Sequence, residues 1–452
     1  MKKHHLILGC TAIFSLLFYK ESIGINLAIF GLALAALVFM KFKRKSVLVK
    51  ALFISSVLSC IAFGWYGDFV SFLALFFSLV FLQFQNETTK LKLIQSVPII
   101  FINGITSFGR PLMFSQWLPQ TKINNDGMKK IIAFGLIPIL FLIVFFTAYS
   151  FASDTFSNLL DYELDLDFGP FILVVVLGFY FSFSYWNYWV PDYFHENSHK
   201  LNNDFSSEST QDVSPSFSFL EIDFERKSGE ISLVLLNMML LVFIVTYNYE
   251  QFFKEQSISE LSSATHDRVN AVIISIIMAV GVILFYFKKG FNFDLKALFL
   301  KRLAKIWISL NALLIVSSAV KNSEYIIHFG LTYKRLGVYA FLIITLIGLG
   351  FTYYKIKNKK TNAFLFNQMT WCLYGLILLC SFFNWGNLIT QYNIEANKGV
   401  DPVFLSDLNF NDEVRRVYFK ANQLDGQYKE SNREADIREY KNQSFFIKSG
   451  IL

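Results

Sequence analysis

The chain has 452 residues, of which 54% are hydrophobic and only 17% charged, and phenylalanine alone supplies 52. Soluble domains carry about 25% charged residues, so the composition excludes a soluble globular protein and points to lipid-facing helices rich in aromatic contacts. The formal net charge of +7 is no sign of nucleic-acid binding, because the basic residues cluster at the ends of apolar runs, as membrane topology requires.

About eleven runs are apolar over a length that can cross the hydrocarbon core as a helix. In chain order they cover 5–19, 23–40, 48–65, 69–84, 130–150, 169–190, 230–248, 269–287, 302–320, 335–355 and 363–384. The first begins at Met1-Lys2-Lys3-His4-His5 and meets no small-residue cleavage site before the next, which predicts a retained helix. Segment 93–108 is apolar but short. It holds Pro98, Asn103 and Gly104, with Gly109 just beyond, and is expected to be re-entrant or interfacial. Cys10, Cys60, Cys372 and Cys380 fall inside apolar runs without a CxxC spacing. They read as small core hydrophobes, with neither a disulfide framework nor a zinc site implied.

The expected fold is therefore all-α: a polytopic transmembrane helical bundle of about eleven spans, one re-entrant or interfacial segment, and a short helical C-terminal tail. Four regions are expected: an N-terminal membrane bundle at 1–190, a cytoplasmic polar loop at 191–228, a C-terminal membrane bundle at 229–385, and an extracytoplasmic helical tail at 386–452. In the tail, Asn411-Asp412-Glu413 can cap a helix running to about Leu424, and another is expected over 431–443. The chain shows no fixed-period repeat and no match between its halves, which weakens an inverted-repeat transporter reading.

Charge orients the spans. Lys41, Lys43, Arg44 and Lys45 follow the second; Lys288, Lys289, Lys296, Lys301, Arg302 and Lys305 lie around the start of the ninth; Lys355, Lys357, Lys359 and Lys360 close the tenth. All three groups are cytoplasmic under the positive-inside rule only if 93–108 does not cross. The N-terminus is then inside and the tail outside. The acidic loop 151–168 also falls outside.

Three groups of residues could carry chemistry. His195-Glu196-Asn197-Ser198-His199 matches HExxH, which on a helix puts two zinc-binding histidines on one face with a glutamate to polarise water. Pro191 and Asn202-Asn203 limit the helix available, and the bland reading is a polar interfacial loop. Glu225-Arg226-Lys227-Ser228-Gly229-Glu230 opens the seventh span. Ser228 can cap that helix with Glu230 in its first turn, or Glu225, Arg226 and Glu230 can form a cytoplasmic gate. On the outer face, Arg268, Lys334 and Arg335 sit where basic residues are disfavoured, beside Tyr325 and His328. Either Asp267 and Glu324 pair with them, or they meet an anionic lipid head group or small anion. No Asp, Glu, Lys or Arg falls at the middle of a run, which counts against a proton relay.

Several of these motifs together resemble a bacterial family of polytopic membrane proteins, domain of unknown function four-one-five-three. The resemblance covers about 220–400. It rests on Glu225-Arg226 with Ser228-Gly229-Glu230, on Asp267-Arg268-Val269-Asn270-Ala271, on Gly330-Leu331-Thr332-Tyr333-Lys334-Arg335-Leu336-Gly337-Val338-Tyr339, and on Asn384-Trp385 with Tyr392-Asn393-Ile394. It implies location and fold but no reaction. The sequence thus predicts an integral inner-membrane protein without enzymatic activity or cofactor. It would transport, bind a lipid or ligand, or scaffold at the outer face through Arg268, Tyr325, His328, Lys334 and Arg335. The alternatives are a component of an envelope complex that recruits protein partners through the tail and the loop 191–228, and a membrane zinc protease using His195 and His199.

Overall fold

The computed structural model describes residues 2–41, 46–88, 90–118, 168–206, 221–253, 258–288 and 290–424, with isolated positions between 134 and 149. Every regular element among them is helical. They fall into two compact units, the first within Met1–His195 and the second within Glu196–Ala435.

The first unit contains α1 (Lys3–Phe18), α2 (Ile25–Met40), α3 (Val47–Tyr66), α4 (Phe69–Glu87), α5 (Ser96–Thr106) and α6 (Phe168–Trp186), and leads into the five-residue α7 (Asp192–Glu196). Local chemistry sets the boundaries. Ser46 accepts from the Val49 amide at the start of α3, and Asp68 accepts from the Ser71 amide at 2.7 Å to open α4. Gly67, in a left-handed conformation, ends α3 between them. Lipid is as apolar as leucine, so packing comes from close fit and from buried polar contacts. Gly178 of α6 lets Phe14 of α1 lie against it; a Cβ there would come within 2.7 Å of the ring. On the same contact, Trp186 Nε1 donates to Cys10 Sγ at 3.1 Å.

The second unit contains α8 (Ile222–Phe253), α9 (Ile258–Tyr286), α10 (Leu298–Phe329), α11 (Tyr333–Lys357) and α12 (Asn362–Cys380), followed by α13 (Trp385–Ala396), α14 (Pro402–Ser406) and α15 (Asp412–Ala421). The side chains described in α9 begin at Val272. Helix α10 packs against α8, α9 and α11, and α11 packs against α12. Polar bonds cross these contacts: Trp307 Nε1 donates to the Ala279 carbonyl at 3.1 Å, and Asn237 Nδ2 donates to the Leu303 carbonyl at 3.2 Å.

Among the described residues, seven helices are long and apolar enough to cross a membrane: α3, α4, α6 from Gly169, α8 through Glu250, α10, α11 and α12. Helices α1 and α2, the stretch Leu93–Thr106 and the stretch Val272–Tyr286 are shorter apolar helices. The expected run 130–150 and the expected helix 431–443 lie outside the continuously described residues. Segment 93–108 forms the 11-residue α5, flanked by single 3-10 turns.

Several helices outrun their apolar stretches. Helix α8 starts at Ile222, and its first turn carries Asp223 and Glu225, where the macrodipole favours carboxylates. Ser228 consequently lies inside the helix and does not cap it, and Glu230 sits beyond the first turn. The same helix runs continuously through 228–229, where the sequence suggests a boundary between loop and bundle. In the tail, α15 forms close to where the Asn411-Asp412-Glu413 signal places it.

Candidate functional site

The turn between α10 and α11 gathers most of the residues singled out on the outer face. Gly330 ends α10 with φ of +83°, and a Cβ there would meet Asn393 Oδ1 at 2.7 Å and the Lys398 carbonyl oxygen at 2.8 Å. Only glycine fits that position without strain. Asn393 of α13 is fully buried and reads both backbone groups of Leu331. Its Oδ1 accepts from the Leu331 amide at 2.6 Å, and its Nδ2 donates to the Leu331 carbonyl at 3.1 Å. Thr332 then caps α11, accepting from the Arg335 amide.

Arg335 is held by this geometry. Its guanidinium lies 4.3 Å from the centroid of the buried Tyr325 ring and 5.9 Å from that of Phe329, and it donates to the Gly330 carbonyl. Its own carbonyl accepts from Asn322 Nδ2 at 3.1 Å. Among the described residues no carboxylate pairs with Arg335. Glu324, the expected counter-ion on this side, bonds to Lys321 at 3.2 Å instead. His328 and Lys334 are exposed at the same end. Arg268 lies on α9, and its side chain, like that of Asp267, is outside the described set.

The tail covers this turn as a small cap. Ile326 and Leu331 pack with Ile389, Leu405, Leu408 and Phe419. Arg415 is wholly buried within the cap, paired with Asp412 and donating to the Leu405 carbonyl at 3.3 Å. Asn411 Nδ2 donates to the same carbonyl at 2.7 Å and to Thr390 Oγ1 at 2.8 Å. Gly386 lets α13 touch the backbone at Asn409, where a Cβ would come within 2.0 Å of the carbonyl oxygen.

The opposite end of the second unit carries the expected gate. Arg226 bonds Asp294 Oδ2 at 3.1 Å and Asp223 Oδ1 at 2.7 Å. Glu225 is buried and Glu230 half-buried on the same helix. Lys355 is fully buried and donates to the Phe287 carbonyl at 2.7 Å, which also accepts from Asn292 Nδ2 at 2.9 Å. Lys301 Nζ donates to the carbonyls of Asn292 and Asp294 at 3.0 and 3.2 Å. Cations thus meet the carbonyls that follow the C-terminal end of α9, where the macrodipole is negative. Next to them, segment 201–204 is tied to the start of α12. Thr361 Oγ1 donates to the Asn202 carbonyl at 2.6 Å, Asn367 Nδ2 donates to the Leu201 carbonyl at 2.9 Å, and Lys360 pairs with Asp204. That hydrogen bond raises the Lys360 ammonium above its ordinary value.

Neither Asp294 nor the burial of Lys355 was expected from the sequence, where Lys355 counts only as one of the cations closing the tenth span. The signal for Lys355 lies in helical spacing, since Gly348, Thr352 and Lys355 share the buried face of α11. For Asp294 the sequence holds no local cue, because its partner Arg226 is 68 residues away.

The HExxH stretch is not one helix. Helix α7 ends at Glu196, Asn197 leaves the helical conformation at ψ of 7°, and Ser198–Leu201 form a 3-10 turn. His195 and His199 therefore do not share an α-helical face, and His199 Nδ1 lies 2.9 Å from the Glu196 carbonyl oxygen. Among the described residues no group of three or more His, Cys, Asp or Glu is placed to hold a metal.

Seven membrane-length helices among the described residues define a multi-pass helical membrane protein. The family described as Domain of unknown function (DUF4153) matches residues 6–415, and the chain belongs to it. The match takes in the N-terminal half as well as the region 220–400 in which the family motifs were recognised. No curated protein and no solved structure matches the chain.

Proposed function

We propose that the chain is an inner-membrane protein that binds an anionic ligand, a lipid head group or small anion, at the outer end of its second unit, without performing catalysis. The observation that carries this reading is Arg335, a half-buried guanidinium stacked on Tyr325 with no carboxylate beside it among the described residues. A cation in a partly dry site gains from a counter-charge. Exposed Lys334 and His328 stand at the same end, and Lys398 joins them through the contact of its backbone with Gly330.

The test uses the full chain in nanodiscs containing phosphatidylglycerol, with retained lipid counted by native mass spectrometry. Changing Lys334→Ala together with Lys398→Ala touches only exposed side chains and should reduce the retained anionic lipid while leaving the thermal midpoint unchanged. Equal retention by variant and parent sinks the reading. So does labelling of a cysteine at position 334 from the cytoplasmic side only.

Partner recruitment is the second reading, favoured by Val403 and Val417, which the cap leaves 71% and 65% exposed. Crosslinking in native membranes should then capture a protein that Val403→Lys with Val417→Lys no longer captures. Retention of the same crosslink by that variant removes this reading.

A further inference from the structure

We infer that the first unit holds a second anion site, built around Arg110, that takes a phosphate oxyanion at the membrane edge. Arg110 follows α5 and is 8% exposed. Its Nη1 donates to Asn103 Oδ1 at 3.1 Å and its Nη2 to the Asn187 carbonyl at 2.5 Å, and it lies 5.7 Å from both the Phe183 and the Trp189 ring centroids. All these partners are neutral. Among the described residues no carboxylate reaches it, whereas the other arginine buried to this degree, Arg415, is paired with Asp412. A guanidinium offers five N–H donors, and two of Arg110's have a bond. Burial lowers its pKa below the ordinary value, but an arginine stays charged at neutral pH.

Other buried polar groups of the first unit are unsatisfied as well. Asn187 Nδ2, Ser107 Oγ, Ser182 Oγ and the Tyr188 hydroxyl are buried atoms with no hydrogen-bond partner among the described residues, and so are both amide atoms of Asn86. Asn187, Ser182 and Ser107 adjoin, in sequence or through the backbone, the groups that the guanidinium meets. Asn187 gives it a carbonyl, Ser182 precedes the Phe183 ring that it faces, and Ser107 bonds by its amide to the Asn103 carbonyl at 2.9 Å. The Tyr188 ring lies 6.2 Å from Phe84, two residues before Asn86. Burial pushes the Tyr188 phenol above its ordinary value, so it is a neutral donor.

Buried polar atoms without partners are rare, and water can satisfy neutral ones. Water cannot neutralise a buried guanidinium. An oxyanion does both, since it supplies the missing charge and accepts from several donors at once. The position fits a phosphate at the lipid boundary. Asn187, whose carbonyl the guanidinium meets, directly follows the C-terminal end of α6, a membrane-length helix. The site is surrounded by Trp117, 5.9 Å from Phe183, and by the half-exposed Trp189, residues typical of the head-group level.

The full chain is purified in a neutral detergent and titrated with inorganic phosphate, and in parallel placed in nanodiscs of phosphatidylcholine with or without phosphatidic acid. The discriminating variant is Asn187→Asp, which adds a carboxylate to the residue whose backbone carbonyl the guanidinium meets. The parent should show a phosphate-dependent rise in thermal midpoint or retain phosphatidic acid in native mass spectrometry. The Asn187→Asp variant should fold with an equal or higher midpoint and bind at least about tenfold more weakly. A response to inorganic phosphate identifies a soluble anion, and a response only to phosphatidic acid identifies a lipid head group. If the parent responds to neither, or the variant responds as the parent does, Arg110 is a structural brace and the site does not exist. Because Lys334→Ala with Lys398→Ala leaves Arg110 untouched, this result is separable from that of the outer-face proposal.

Discussion

The two ends of the second unit differ in how they hold arginine: Arg226 has two carboxylates, whereas Arg335 has a carbonyl and an aromatic face. Where α8, the loop after α9 and the start of α12 meet, each buried or half-buried cation has an internal partner: Arg226 has Asp294 and Asp223, and Lys301 and Lys355 have backbone carbonyls. At the turn after α10, Arg335 rests on an aromatic face, and Lys334 and His328 point to solvent. A closed network is a device for stability. The proposed anion site rests on the cation left without a counter-charge at a preorganised turn.

Breaking that contrast starts with the cap. Arg415→Ala removes the wholly buried partner of Asp412, at a cost of about 3–5 kcal/mol. Chemical denaturation should show the loss, and limited proteolysis should release α13 to α15. An unchanged midpoint means that the cap is not held by this pair. Asn393→Ala comes next. It strands both the Leu331 amide and its carbonyl, for about 2 kcal/mol, and should also loosen Arg335, seen as faster hydrogen exchange at residues 330–335. At the closed end, Arg226→Ala should cost about 1.5 kcal/mol through the Asp294 bond. Adding Asp294→Asn should restore part of that, because the stranded charge is removed. Additive losses would show that the two residues are not coupled. The smallest effect belongs to Lys360. Its folded-state pKa is raised by Asp204, so the contact contributes in full below the lysine's ordinary value of 10.5 and is lost as pH rises above that through the raised folded-state value. Because Asp204 is exposed, Lys360→Ala should shift the neutral-pH midpoint little and remove only this alkaline dependence, read from thermal melts between neutral and alkaline pH.

The fold was legible wherever local apolar length decides it. Helices appear at ten of the eleven expected runs, the remaining run, 130–150, being outside the continuously described residues. Helix ends were less legible. Apolar length marks what lipid requires, whereas a helix continues for as long as its backbone bonds and first-turn charges allow. Hence α8 begins at Ile222 and α10 runs to Phe329. Within the site, the Gly330-to-Arg335 motif stood out, and Thr332 as a cap is a local effect. What the sequence could not give is non-local. Asn393 reads a backbone 62 residues away, and Arg335 reaches back over the Gly330 turn to Tyr325. HExxH is the converse case, a local pattern whose spacing means little because the helix that would give it meaning stops at Glu196.

Helices α1 and α2 have 16 residues each. At a rise of about 1.5 Å per residue each is about 24 Å long, some 6 Å short of a hydrocarbon core about 30 Å thick. Long helices relieve a mismatch by tilting; short ones cannot. A crossing by α1 and α2 would require the bilayer beside them to thin or their flanking side chains to reach outward to the interface. Thinning of that kind favours shorter-chain lipids and draws together proteins that thin the membrane in the same way, so helix length alone would bear on which neighbours such a crossing meets.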